Sequence, residues 1–211
     1  MANSLAKSFE KKWASLKENL GQLLSQGFYE RHSVEVAKDL LGKIIVVRTN
    51  TKWVGGRIVE TEAYRQDDPA SHSYRGETPR SSVMFGEPGR AYVYFIYGMY
   101  EMLNFVTEPK GQGSAVLIRA LEPLFGLEGK ATQGPGRLCN ALGIQMAHNR
   151  EFLMGPTLFV YDDGYKPTGI SQSPRVGIRL ATDKQWRFFI TGHPSVSRAP
   201  QNFQQTPCND V

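Results

Sequence analysis

Between Lys43 and Ala120 the chain reads with a two-residue period in five segments, and few strands are separated by crossover helices. Lys43–Thr49, Gly56–Tyr64, Ala91–Tyr97, Met102–Thr107 and Ser114–Ala120 each alternate or run apolar over strand length, bounded by turn residues. Parallel neighbours need a crossover of a dozen or more residues, usually a helix, so these segments are expected to pair antiparallel. Later strands are expected at Thr157–Tyr161, Arg175–Leu180 and Trp186–Thr191. The expected architecture is α+β: a single mixed domain, with a mainly antiparallel sheet flanked by helices.

Helical patterning lies at the edges of this block. Leu5, Phe9, Trp13, Leu16, Leu20 and Leu23 recur at three- and four-residue steps, which predicts an amphipathic helix whose last turn frays at Gly21. A second short helix is expected from Ser33, capped by its hydroxyl and stopped by Gly42. A third is expected at Pro135–Leu142, with proline near its start and Gly143 at its end. The expected division is a helical extension at 1–26, one domain at 27–197 and a polar, fraying tail at 198–211.

A chain of 211 residues with 40% hydrophobic and 21% charged residues can bury a core without disulfides or metals, which excludes disordered, collagen-like and coiled-coil classes. The longest uncharged apolar run, about Ala91 to Tyr100, is too short to cross a bilayer. The four histidines are scattered and the two cysteines, Cys139 and Cys208, form no paired motif, so no metal site is expected. The start, MANSLAKSFEKKW, has no apolar signal core, and an intracellular protein is expected. A net charge of +5 permits an anionic partner without specifying one.

Chemistry first appears on the strand RIVETEAY, where alternation puts Ile58, Glu60, Glu62 and Tyr64 on one face. Carboxylates two residues apart on one face stand roughly 7 Å from each other, and burial would disfavour ionising both. Spacing alone leaves solvated carboxylates and a buried pair equally open. The tyrosine that follows, and a loop with Asp67, Asp68 and His72, favour a site.

The segment MFGEPGRAYVYFIYGMYEMLN, Met84–Asn104, puts Tyr97, Met99 and Tyr100 around Gly98 at an expected hairpin tip. Large apolar groups at an exposed tip suit insertion between unstacked bases, whereas Val93, Phe95 and Ile96 read as core. Asn104 and Arg119 each interrupt an apolar strand. Burying either unpartnered costs several kcal/mol, so both are expected to face a polar cavity or a carboxylate. For Arg119, an ion pair with Glu60 or Glu62 is the structural alternative. Arginines in Gly- and Pro-rich loops, including Arg80 and Arg137, suit phosphate.

RIVETEAY, DPASHSYRGETPR, MFGEPGRAYVYFIYGMYEMLN, SAVLIRALEP and GPGRLCNALGI, in this order, resemble the alkyladenine (3-methyladenine) DNA glycosylase family from about Phe28 to Ser197. The resemblance implies a curved antiparallel sheet and a monofunctional, cofactor-free hydrolase. Such an enzyme flips damaged purines (3-methyladenine, 7-methylguanine, hypoxanthine, ethenoadenine) out of duplex DNA and cuts the N-glycosidic bond, leaving an abasic site. It implies that Glu62 is the general base, that Arg119 and the Val176 carbonyl help to hold its water, and that Tyr64, His72, Tyr94 and Asn104 form the base pocket. It also implies that Tyr97, flanked by Met99 and Tyr100, is the wedge, and that Arg80 and Arg137 face phosphate.

The implied partner is double-stranded DNA, with the enzyme acting as a monomer away from membranes, in a bacterial cytoplasm or a eukaryotic nucleus. Between Leu127 and Gly134 the chain lacks a basic stretch that many relatives have, and Glu77 occupies a loop where a basic residue suits phosphate better. Two other readings are a glycoside hydrolase using Glu60 and Glu62, whose shared strand does not easily flank a bond from two sides, and a noncatalytic nucleic-acid-binding module using the aromatic hairpin.

Overall fold

A computed structural model of the chain describes residues 13–96, 98–198 and 206–207. Residues 13–17 are helical (α1) and are followed by β1 (Gln22–Leu23), α2 (Gln26–Tyr29), α3 (Ser33–Asp39), β2 (Ile44–Arg48) and β3 (Trp53–Tyr64). Next come β4 (Ala91–Ile96), β5 (Tyr100–Val106), β6 (Ala115–Phe125), α4 (Pro135–Leu142), β7 (Leu158–Asp162), β8 (Ile170–Ser173), β9 (Arg187–Ile190) and β10 (Thr206–Pro207). Among the described residues these strands form one curved, wholly antiparallel sheet, in the order β1-β7-β2-β3-β6-β5-β4, with β9, β8 and β10 branching from β3. The expected α+β architecture holds.

Period-two patterning divides the strands between two apolar layers. On β2, Ile45 and Val47 enter the main core with α3 and α4, while Ile44 and Val46 face the other way. That second face is covered by α1, where Trp13 stacks on Trp53 with ring centroids 3.8 Å apart.

β3 organises the sheet. It pairs with β6 along one edge, and with β2 and then β9 along the other. Its register with β6 slips between Ile58 and Thr61, where the second neighbour changes from β2 to β9. Such irregularities bend a strand and re-aim its side chains.

Several expectations are corrected. The first helix does not continue to Leu23: α1 ends at residue 17 and Gln22–Leu23 pair with β7 instead. Gly21 explains the break, because its φ of +75° is left-handed and an added Cβ would lie 2.1 Å from the Asp162 carbonyl oxygen. The part of that helix built on Leu5 and Phe9 lies outside the described residues. α3 is capped by His32, whose Nδ1 accepts from the Val34 amide, while the Ser33 hydroxyl turns to Thr107 and Glu108. Arg175–Leu180 is a loop, and the strand before β9 is Ile170–Ser173. Phe95, expected in the core, is 49% exposed. Most of the tail lies outside the described residues, although Thr206 and Pro207 pair with Gln172 and Ser171.

Candidate active site

Glu60, Glu62 and Tyr64 leave β3 on the same side, and antiparallel β6 inserts Arg119 beside them. Arg119 Nε donates to Glu60 Oε1 at 2.8 Å, and its Nη1 lies 3.4 Å from Glu62 Oε2. β9 adds Arg187, whose Nε donates to the same Glu60 oxygen at 2.7 Å. The Ser197 hydroxyl and amide complete the shell of Glu60 at 2.9 and 2.7 Å. Burial pushes the Glu60 carboxyl up, but Arg119, Arg187 and Ser197 outweigh it and hold it below its ordinary range. The two carboxylates therefore do not face each other bare, because two guanidiniums stand with them.

Glu62 is fully buried and has different partners. Its Oε1 accepts from the Val176 amide at 2.7 Å, and its Oε2 accepts from the Tyr64 hydroxyl at 2.9 Å. Burial and the adjacent Glu62 raise the Tyr64 pKa well above normal, so the phenol keeps the proton that it donates. Arg119 also remains a cation: burial disfavours its charge, and Glu62 and Glu60 more than compensate. Val176 meets Glu62 through its N–H, a contact separate from the carbonyl that the resemblance assigns to the water.

In front of this cluster opens a cavity of about 470 Å³. Tyr64, Arg119 and Val176 form the wall nearest Glu62, and His72, Tyr94 and Asn104 line it as well. Glu62 stands just behind that wall rather than on it. His72 Nδ1 is 3.0 Å from the Tyr92 hydroxyl, and its ring meets Tyr94 edge-on at 4.7 Å between centroids. One side of His72 is open to solvent at the mouth. Partial burial, then the nearby Arg80, lower its pKa to about 4, and the imidazole is neutral at physiological pH. The Asn104 amide group donates to the Tyr92 and Met102 carbonyls at 3.1 and 3.4 Å, an orientation that leaves Oδ1 free to accept from a guest.

Of the other predicted residues, Arg80, Met99, Tyr100 and Arg137 do not line the cavity. Met99, 62% exposed, and Tyr100 stand at the β4–β5 tip, and Tyr97 lies outside the described residues. Tyr100 rests on α4: a Cβ added to Gly136 would lie 2.8 Å from its ring. Arg137, in the first turn of α4, is exposed. Arg80 is exposed, and its guanidinium lies over the Tyr94 ring, 5.0 Å from the centroid.

Sequence reading missed two groups. One is the loop after β8, whose Ile178, Arg179 and Leu180 close the cavity. Their alternation was visible but was read as a strand. The other is the fully buried pair of Arg175 and Asp68, with Arg175 also donating to the Ala63 carbonyl at 2.9 Å and lying 4.6 Å from the Tyr64 centroid. Among the described residues no His, Cys, Asp and Glu cluster could hold a metal ion, and no helix is long and apolar enough to cross a membrane.

Comparison with known proteins bears on this geometry. The methylpurine-DNA glycosylase family is matched over residues 27–194. A protein of Myxococcus xanthus named "Putative 3-methyladenine DNA glycosylase" is 44% identical over 190 residues, covering 87% of this chain and 98% of its own. Proteins of the same name from Methanoculleus marisnigri and Nitrosospira multiformis are 46% and 45% identical. These matches cover 83% and 81% of this chain, and 98% and 91% of theirs.

Proposed function

The chain belongs to the methylpurine-DNA glycosylase family and is thus a hydrolase of N-glycosyl bonds in DNA, and from that premise we propose how its residues release a base. The substrate is duplex DNA carrying a damaged purine, drawn from the methylated, deaminated and etheno-bridged classes. The observation that carries the reading is a buried carboxylate, Glu62, held by an amide, a phenol and a guanidinium directly behind the wall of an aromatic cavity.

A stacked base cannot reach that carboxylate, so the nucleotide swings out of the duplex, at a cost of a few kcal/mol that is least for a weakened pair. Stacking on Tyr64 and Tyr94 offsets the cost, and the cavity, at about 470 Å³, has ample room for a purine. His72 and the Asn104 Oδ1 meet the edge of the base. The β4–β5 tip, with Tyr97, Met99 and Tyr100, fills the gap left in the stack, and Arg80 and Arg137 face the backbone. The enzyme acts as a monomer.

As the bond to the base breaks, positive charge grows on the sugar. Glu62 stabilises that charge and takes a proton from the attacking water. Its contact with Arg119 Nη1, at 3.4 Å, is the longest of the three and is the point at which water enters. Arg119 and Val176 then orient that water, while Glu60 and Arg187 keep Arg119 in place.

The test is base release from a duplex containing hypoxanthine. Glu62→Gln is expected to keep duplex affinity and lose about 10²- to 10⁴-fold in release rate. Undiminished release by that variant would overturn the role given to Glu62.

A further inference from the structure

Arg175 is a costly residue to bury. Its side chain and that of Asp68 are both out of solvent, and its Nε has no hydrogen-bond partner among the described residues. A buried ion pair is a weak device for stability, since apolar residues of similar volume often serve as well or better. What such a pair does supply is fixed geometry, and here the geometry converges on Glu62.

Arg175 acts on Glu62 by two routes without touching it. One runs through the backbone. The Arg175 guanidinium is fixed by Asp68 and donates to the Ala63 carbonyl at 2.9 Å. The residue after Arg175 is Val176, whose amide donates to Glu62 Oε1 at 2.7 Å, and the residue before Ala63 is Glu62 itself. The Arg175–Ala63 bond thus ties the donor segment to the acceptor strand one residue away from the contact it supports. The other route runs through a ring. The guanidinium lies over Tyr64, 4.6 Å from its centroid, and the Tyr64 hydroxyl donates to Glu62 Oε2 at 2.9 Å. Trp186 also packs on the guanidinium, 5.4 Å away, and its carbonyl accepts from the Ala63 amide at 2.9 Å. Of the three described partners of Glu62, Arg119 alone is held by other means, through Glu60.

We infer that Arg175 is a positioning residue of the release reaction: it holds the Val176 amide and the Tyr64 hydroxyl on Glu62, and so aims the carboxylate at the cavity. The inference rests on the glycosylase reading and adds to it a residue that does not line the cavity. A flat guanidinium can grip Asp68 and Ala63 along one edge while its face supports Tyr64, which an ammonium cannot reproduce. A misplacement of about 1 Å in a reacting group costs roughly 100-fold in rate, so a loosened Glu62 slows release without loosening the hold on DNA.

The experiment uses the full-length enzyme and a duplex containing hypoxanthine. Its main variant combines Arg175→Met with Asp68→Leu, which replaces the pair by apolar side chains and leaves neither charge buried alone. This double variant is expected to melt close to the wild type. Duplex affinity by fluorescence anisotropy is expected to stay within about twofold, while single-turnover release with enzyme in excess falls about 10- to 100-fold. The Val176 amide proton, which a carboxylate acceptor draws downfield in the NMR spectrum, is expected to move upfield. Adding Tyr64→Phe is expected to slow release less in this background than in the wild type, because the hydroxyl it removes is no longer aimed at Glu62.

A folded double variant that releases the base at the wild-type rate overturns the inference. So does a loss of affinity as large as the loss of rate, or an effect of Tyr64→Phe that is the same in both backgrounds. Should the double variant not fold, Arg175→Lys carries the test, with rates expressed per folded molecule. Release slowed about tenfold or more at unchanged affinity then supports the inference, and an undiminished rate overturns it. These results leave the glycosylase reading intact. Absence of release by the wild type overturns that reading, and this inference with it.

Discussion

Arg175 grips Asp68 with both terminal guanidinium nitrogens, and neither side chain reaches solvent. The pair joins the loop that carries His72 to the loop that carries Val176, and the Ala63 carbonyl ties both to β3. Removing one partner leaves the other charge buried and uncompensated. Asp68→Ala is therefore expected to destabilise the fold by about 3–5 kcal/mol, read from urea unfolding at pH 7. Arg175→Lys is expected to recover only a small part of that loss in the reciprocal comparison with Arg175→Ala, because an ammonium cannot reproduce the two-pronged contact.

Glu60 makes stability depend on acid. Its folded pKa lies below its ordinary 4.5, so the unfolded chain binds the proton more readily. The stabilisation is fully present above that value and is lost as pH falls through the folded pKa. In Glu60→Gln this acid limb should become shallower, while stability at pH 7 falls by about 3 kcal/mol or more as Arg119 and Arg187 lose their shared partner. Unfolding curves collected from pH 7 down to pH 3 check both effects, and an unchanged acid limb would contradict the assignment.

Gly136→Val tests how the hairpin is supported. The new side chain meets the base of the Tyr100 side chain, which the β5 backbone holds in place. The contacts fall at Tyr100 Cβ, Cγ and Cδ1, near the β5 backbone, so the expected cost in stability is about 1–3 kcal/mol. Duplex affinity is expected to fall more sharply, several-fold by fluorescence anisotropy, because Tyr100 would no longer hold the tip against α4.

Cys139 provides a probe of unfolding. Burial pushes its thiol up to about 12, and the side chain is inaccessible within α4. Alkylation mapped by mass spectrometry should reach Cys139 only at the rate at which the domain opens, and strong denaturant should make labelling immediate.

The sheet was legible in the sequence because its strands alternate and lie close together, and α4 because proline and glycine mark its ends. Glu62 and Asn104 stand out as polar residues in apolar strands, whereas the expected pocket roles of Tyr64 and His72 come from the resemblance. The loop at 178–180 was not legible, since with Val176 its apolar residues alternate as a strand's do while in fact lining a cavity. Local pattern cannot distinguish those two uses. The partners of Glu60 were hidden for another reason: Arg187 and Ser197 are 127 and 137 residues away, beyond any periodic signal. The cap of α3 went to His32 because tertiary contacts with Thr107 and Glu108 claimed the Ser33 hydroxyl.

Those separations have a consequence for synthesis. The Val176 amide that grips Glu62 follows it by 114 residues, and Arg187 and Ser197 come later still. Once residues 1–142 have been made, β2–β6 and α4 can assemble, but the Glu62 carboxylate has neither its amide partner nor the loop that closes the cavity in front of it. The shells of Glu60 and Glu62 therefore close only after Val176, Arg187 and Ser197 have been made, and a fragment ending before Val176 has a partial sheet without them.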